Sequence, residues 1–177
     1  MGDGRLMEAV ADSGPLIHLS EIGCLQLLNL FNRLHVPNAV WNETVERDRL
    51  SESELSAATN VHRQTFSHDH VEQFIMKYKI AELHSGEQEC LLLAKEKNIA
   101  IILTDDMAVR DAAKQLDLIP VGSLGIVVKA YTMRQILLED AEKYIGNLYS
   151  VSSLFVTCAI ANLAIEMLHT TTLKGST

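Results

Sequence analysis

Short apolar runs alternate with amphipathic stretches along the chain, and polar residues mark most of the junctions. The run from Met7 to Ala11 ends in Asp12-Ser13-Gly14-Pro15, the pattern of a strand that stops at an acidic residue and turns into a helix. Leu16, Ile17, Leu19 and Ile22 continue that helix. Cys24 to Phe31 predict a second one, apolar almost all round. Leu34 to Val36 form a brief strand. Pro37 opens the next helix at its first turn, where a missing N–H costs nothing, and that helix runs through Val40, Trp41, Thr44 and Val45. Residues 46–70 are the most polar stretch, with a helix expected near Glu52 to Asn60. Val71 to Ile80 reads equally as strand or loop.

The pattern is clearer beyond residue 84. Ser85 with Gln88 three positions on makes a capping box for a helix reaching about Lys97. Ile99 to Leu103 is a continuous apolar strand, as expected inside a parallel sheet. A helix over 106–116 carries Val109, Ala112, Ala113 and Leu116 on one face. Leu118 to Val121 is a further strand, and Gly122-Ser123-Leu124-Gly125 leads into a helix over Ile126 to Tyr131. Two more helices are expected near 134–147 and 152–168. Helices alternating with short buried strands predict an α/β fold, a three-layer α/β/α sandwich around a short parallel sheet. No repeat or linker divides residues 1–177, so one domain is expected, its helices over about 134–168 completing the core or forming a dimer interface.

Composition narrows the class. At 177 residues, 47% hydrophobic and 21% charged, the chain has the make-up of a globular protein able to bury about 70% of its unfolded surface. Cys24, Cys90 and Cys158 are odd in number, lie in apolar settings and lack C-x-x-C spacing, which fits reduced cysteines and a cytoplasmic location. The opening MGDGRLME has no signal-peptide pattern, and Leu6 stands where N-myristoylation requires Ser or Thr. The longest apolar stretch, Leu154 to Leu168, is too short to span a bilayer and contains Asn162 and Glu166. The net charge of −8 excludes a protein that holds nucleic acid by a basic surface alone. If the substrate is a polyanion, another source must supply positive charge.

Acidic residues fall where that source would bind. Ligands of a parallel α/β sheet bind at the carboxyl ends of its strands. Asp12 ends the first strand. Asp105 and Asp106 end the 99–103 strand, Glu87 opens the helix before it, and Glu43 lies about two turns into the helix that starts near Pro37. Cys90, Leu91 and Ala94 follow Glu87 at three, four and seven residues, so Glu87 heads a core-facing stripe. Arg110, four residues after Asp106, balances at most one of these charges. Clustered carboxylates raise one another's pKa, and a hard divalent cation is the ordinary way to keep them ionised. One ion, or two about 4 Å apart, would activate water and neutralise a phosphodiester's developing charge. Each acid also has a local structural reading: Asp12 as a helix cap, Glu43 paired with Arg47, Glu87 favoured by a helix dipole, Asp105 as a cap.

Four segments in order resemble the PIN domain family of metal-dependent ribonucleases. They are Ala11-Asp12-Ser13 with Pro15-Leu16-Ile17; Pro37-Asn38-Ala39-Val40-Trp41-Asn42-Glu43, similar to P-x-x-V-x-x-E; Gly86-Glu87-Gln88-Glu89 before Leu91 to Ala94; and Thr104-Asp105-Asp106, similar to T-x-D. The likeness covers about residues 8–132 and is nearest to a prokaryotic subgroup related to VapC-like toxins. It implies an acidic tetrad of Asp12, Glu43, Glu87 and Asp106 that binds Mg²⁺ or Mn²⁺, with Asp105 as an extra carboxylate. Ser13, Thr104 and Arg110 would support it. It also implies an RNA substrate, an antitoxin protein in a toxin–antitoxin pair, and a homodimer, without a membrane partner. Residues 46–80 match no family motif and are candidates for substrate choice.

Other readings compete. One is a catalytically inactive PIN-like module that binds RNA or protein. Another is an Asp phosphatase, but Asp12 is followed by Ser13-Gly14 rather than completing D-x-D. A receiver domain would carry its acidic pair after the first strand, whereas here the pair is at 105–106. His68-Asp69-His70 alternates like a strand metal site but lacks a third ligand, and an exposed loop is expected there. Gly122 to Gly125 is expected to be a tight turn rather than a phosphate loop. The other histidines are expected to be structural or on the surface. The apolar last helix is either buried in its own domain or packed on a second subunit.

Overall fold

The computed structural model describes residues 7–174. Five parallel strands form its sheet: β1 (Glu8–Ala11), β2 (Arg33–Pro37), β3 (Val61–Gln64), β4 (Ile101–Leu103) and β5 (Ile119–Val121), in the order β3-β2-β1-β4-β5. From β1 the chain winds to β2 and β3 on one side, then returns to add β4 and β5 on the other. The order therefore reverses between β1 and β4. In open parallel sheets the crevice at the carboxyl ends of such a pair is where ligands bind.

The connections are helical: α1 (Ser13–Glu21), α2 (Asn38–Thr44), α3 (Glu52–Ala58), α4 (His68–Tyr78), α5 (Ser85–Lys97), α6 (Met107–Gln115), α7 (Ser123–Thr132), α8 (Leu138–Ser150) and α9 (Cys158–Lys174). The 24–31 segment forms a 3-10 turn over Leu25–Leu30. Ala9, Val10 and Ala11 of β1 are wholly buried, as the central strand of a covered sheet must be. Helix α5 packs on β1, β2 and β4, with α2 and α4 beside it, and buries Leu91, Leu92 and Leu93. Burying each leucine stabilises the fold by about 1.5–3 kcal/mol. Helices α1 and α7 form a second group with the 3-10 turn, and α8 and α9 stack on α7. The sheet is thus flanked by helices in the α/β/α layering expected. Among the described residues no helix is long and apolar enough to cross a membrane.

Several local readings are corrected. Val71 to Ile80 is neither strand nor loop but most of α4. Val71, Phe74, Ile75 and Tyr78 follow helical spacing, yet only Phe74 is fully buried and Met76 is 70% exposed, which blurs the stripe. His68-Asp69-His70 accordingly begins that helix, where His68 pairs with Glu72 and His70 with Glu96. Strand β3, half exposed and paired on one side only with β2, has no apolar run to announce it. Pro37 ends β2 in an extended conformation and α2 starts one residue later. The cap of α5 also shifts by one: its N-cap is His84 and its third residue is Glu87. Gln88 is buried and donates to the carbonyls of Ile80 and Leu83 instead.

Candidate active site

The β1–β4 junction places two acidic residues side by side at the sheet edge. Asp12 follows β1 and caps α1, with its Oδ1 accepting the Ser13 N–H at 2.7 Å. Asp106 follows β4 and caps α6, its Oδ1 accepting the N–H groups of Ala108 at 2.8 Å and Val109 at 3.1 Å. Thr104 joins them. Its wholly buried hydroxyl donates to Asp12 Oδ2 at 3.0 Å and accepts the Asp106 N–H at 3.3 Å. Both carboxylates thus sit at helix N-termini, where the backbone dipoles favour negative charge.

The second pair comes from α2 and α5. Glu87 turns back on its own helix, where its Oε2 accepts the His84 N–H at 2.8 Å. Glu43 lies against Gly86. A Cβ at that glycine would stand 3.1 and 3.2 Å from the two Glu43 oxygens and 3.2 Å from Val40 Cγ2, so the missing side chain is what lets α2 and α5 meet so closely.

The buried carboxyls feel their acidic neighbours. Asp12 is only 5% exposed, and burial pushes its carboxyl up to about 6 from 3.8. The Ser13 and Thr104 hydrogen bonds oppose that rise, while the charges of Glu87 and Glu43 add to it. Burial likewise raises the Glu87 carboxyl, opposed by the His84 N–H and reinforced by Asp106 and Glu43. Each acid therefore feels at least one of the others. Arg110, the nearby candidate cation, donates to the Thr104 carbonyl at 3.2 Å rather than to a carboxylate.

The residues fit a hard divalent cation by chemistry: all four donors are carboxylates, one of them buried, and no cation is paired with them among the described residues. They do not form a ready-made cage. Among the described residues no three His, Cys, Asp or Glu side chains already stand so as to hold an ion. Backbone N–H groups and the Thr104 hydroxyl tether Asp12, Glu87 and Asp106 individually, and mutual repulsion favours that spread.

Asp105 has partners of its own. Its Oδ2 is 2.8 Å from His18 Nδ1 and 2.6 Å from Ser123 Oγ, and its Oδ1 accepts the Ser123 N–H at 2.7 Å. Both oxygens are thus engaged in tying α1, β4 and α7 together. Gly122 makes this approach possible, since a Cβ there would fall 2.8 Å from Asp105 Oδ1. The glycine serves this contact as the N-cap of α7. Ser13 contributes its N–H to Asp12. The Glu43–Arg47 pairing is absent from the ion pairs among the described residues; Arg63 reaches Glu46 instead.

The partners of Glu89, His18 and Ser123 were not legible in the sequence. Glu89 Oε2 accepts the Ala39 N–H at 3.0 Å across 50 residues, and burial together with Glu43 raises its carboxyl. Its place in Gly86-Glu87-Gln88-Glu89 was the available signal. Two concavities lie away from the carboxylates, one between α4 and α5 beside Phe74 and Tyr78, the other beside Gly23 and Ala58.

A protein-family model described as PIN domain matches residues 8–169. The chain is also similar in structure to a PilT N-terminus domain protein from the hyperthermophilic archaeon Sulfolobus solfataricus P2. That likeness has a TM-score of 0.52 at 17% identity and covers 70% of this chain and 93% of the other, which shows a shared fold. None of the curated proteins compared matches this chain.

Proposed function

The chain belongs to the PIN domain family, and from that membership we propose that it is a metal-dependent endoribonuclease hydrolysing RNA phosphodiester bonds. What supports this reading is that Asp12 and Asp106 share the Thr104 hydroxyl at the β1–β4 edge, and that the charges of Glu43 and Glu87 act on Asp12. Asp12, Glu87 and Asp106 would hold Mg²⁺ or Mn²⁺. Such an ion, when bound, supplies the positive charge that a scissile phosphate needs and that a chain of net charge −8 does not offer. Asp12 is oriented by Thr104 and the Ser13 N–H. Glu43, with no side-chain hydrogen-bond partner among the described residues, would be the carboxylate that takes a proton from the attacking water.

The likeness to VapC-like proteins supports a finer reading: a cytoplasmic toxin restrained by an antitoxin protein. A homodimer is part of this reading. Helix α9 turns Ala161, Ala164 and Leu168 inward and leaves Ile160, Leu163 and Met167 about half exposed at helical spacing, a face suited to a second copy.

The test is cleavage of a mixed RNA substrate with Mg²⁺ or Mn²⁺, with and without chelator. Cleavage that chelator stops and Asp12→Asn abolishes, in a variant that still folds, is expected. Full activity in Asp12→Asn, or tight RNA binding with no cleavage in either metal, would overturn the proposal.

A further inference from the structure

Helix α2 has only seven residues, yet it delivers Glu43 to the site. It begins after Pro37, which offers no side-chain cap for its first N–H groups. Short helices are marginal on their own, and uncapped N–H groups at a helix start need partners. The partner here comes from another helix: Glu89 of α5, half-buried, accepts the Ala39 N–H at 3.0 Å. The same two helices touch at Gly86, against which the Glu43 carboxylate lies. Ala39 and Glu43 are four residues apart, hence on one face of α2, the face turned towards α5.

We infer that Glu89 is a positioning residue: it caps α2 from α5 and thereby fixes Glu43 against Gly86, within reach of the other three carboxylates. The inference rests on the nuclease reading for its catalytic consequence, but the cap itself does not. Glu89 stands two residues beyond Glu87 on the same helix, so the two side chains leave α5 in different directions and need not share a role.

Three substitutions separate a cap from a metal ligand. Glu89→Gln keeps the reach and an acceptor oxygen but removes the charge. Glu89→Asp keeps the charge and shortens the reach by one methylene. Glu89→Ala removes both. A positioning role predicts that Glu89→Gln retains RNA cleavage within about threefold. Glu89→Asp and Glu89→Ala should lower kcat about 10- to 100-fold with KM little changed, the usual scale for supporting groups of a metal site. Hydrogen exchange at the α2 amides should accelerate in Glu89→Asp and Glu89→Ala and stay at the wild-type rate in Glu89→Gln. Should Glu89→Ala fail to fold, the Gln-against-Asp comparison still decides. The reverse order, Asp benign and Gln damaging, would overturn the inference by showing that the charge is what matters. Unchanged α2 exchange in all three variants would overturn it as well. If the wild-type chain cleaves no RNA in either metal, the nuclease reading fails, and the exchange measurement still judges the cap.

Discussion

Replacing Asp12 by Asn should abolish cleavage and stabilise the metal-free protein at neutral pH. Burial lifts the Asp12 carboxyl from 3.8 to about 6, so the folded chain holds its proton more tightly than the unfolded chain does. Below pH 3.8 the carboxyl is neutral in both states and contributes nothing. As pH rises from about 4 to 6 the unfolded state ionises first, and stability falls. Above pH 6 the full cost is present, about 3 kcal/mol at 1.36 kcal/mol per pKa unit. Asn removes that cost. Its carbonyl oxygen can still accept the Ser13 N–H, but its NH₂ then meets the Thr104 hydroxyl, which loses its acceptor at an expense of about 1 kcal/mol. The net gain is about 2 kcal/mol at pH 7, or roughly 4–8 °C in Tm for a chain of this size. Thermal melts in chelator from pH 4 to 8 read it directly: the gap should open between pH 4 and 6 and then stay level. Saturating Mn²⁺ should narrow or reverse it, because ligand binding stabilises only the wild type. A variant less stable than wild type at pH 7, or a gap that does not change with pH, would refute the reasoning.

Other perturbations test neighbouring parts of the account. Gly86→Ala puts a methyl group 3.1–3.2 Å from both Glu43 oxygens, so kcat should fall at least about tenfold while far-UV circular dichroism stays unchanged; wild-type kcat would show that α2 can shift without consequence. Asp105→Ala removes the acceptor shared by His18 and Ser123 and should cost about 1–3 kcal/mol in urea unfolding. Its Mn²⁺ stoichiometry by calorimetry should match the wild type, and a lost ion would return Asp105 to the metal site. Leu163→Glu places a charge on the exposed face of α9 and should convert a dimer to a monomer by light scattering; a wild-type monomer would remove the dimer proposal.

The residues that end strands were the legible ones. Asp12 and Asp106 close apolar runs, and a parallel sheet sends both to the same edge wherever the strand order reverses. Glu43 and Glu87 could be assigned to helices, but not the direction of their side chains. The Glu87 cap was read one residue out of phase, because Ser85 and Gln88 fit the same spacing as His84 and Glu87. Helix α4 escaped because it buries a single residue, and β3 because an edge strand with one neighbour needs no apolar run. Glu89, His18 and Ser123 act through partners 18 to 87 residues away, a separation that no local pattern reports. Asp105 shows the limit most plainly: beside Asp106 in the chain, it bonds to α1 and α7 while Asp106 caps α6.

The central claim is that the four carboxylates form one cation site. Anomalous diffraction at the manganese edge, from crystals soaked in Mn²⁺, tests it most directly. The account predicts a peak at the β1–β4 edge within coordination distance of Asp12 or Asp106 that disappears in Asp12→Asn. No peak there, with manganese instead on a surface pair such as His70 and Glu96, would contradict it.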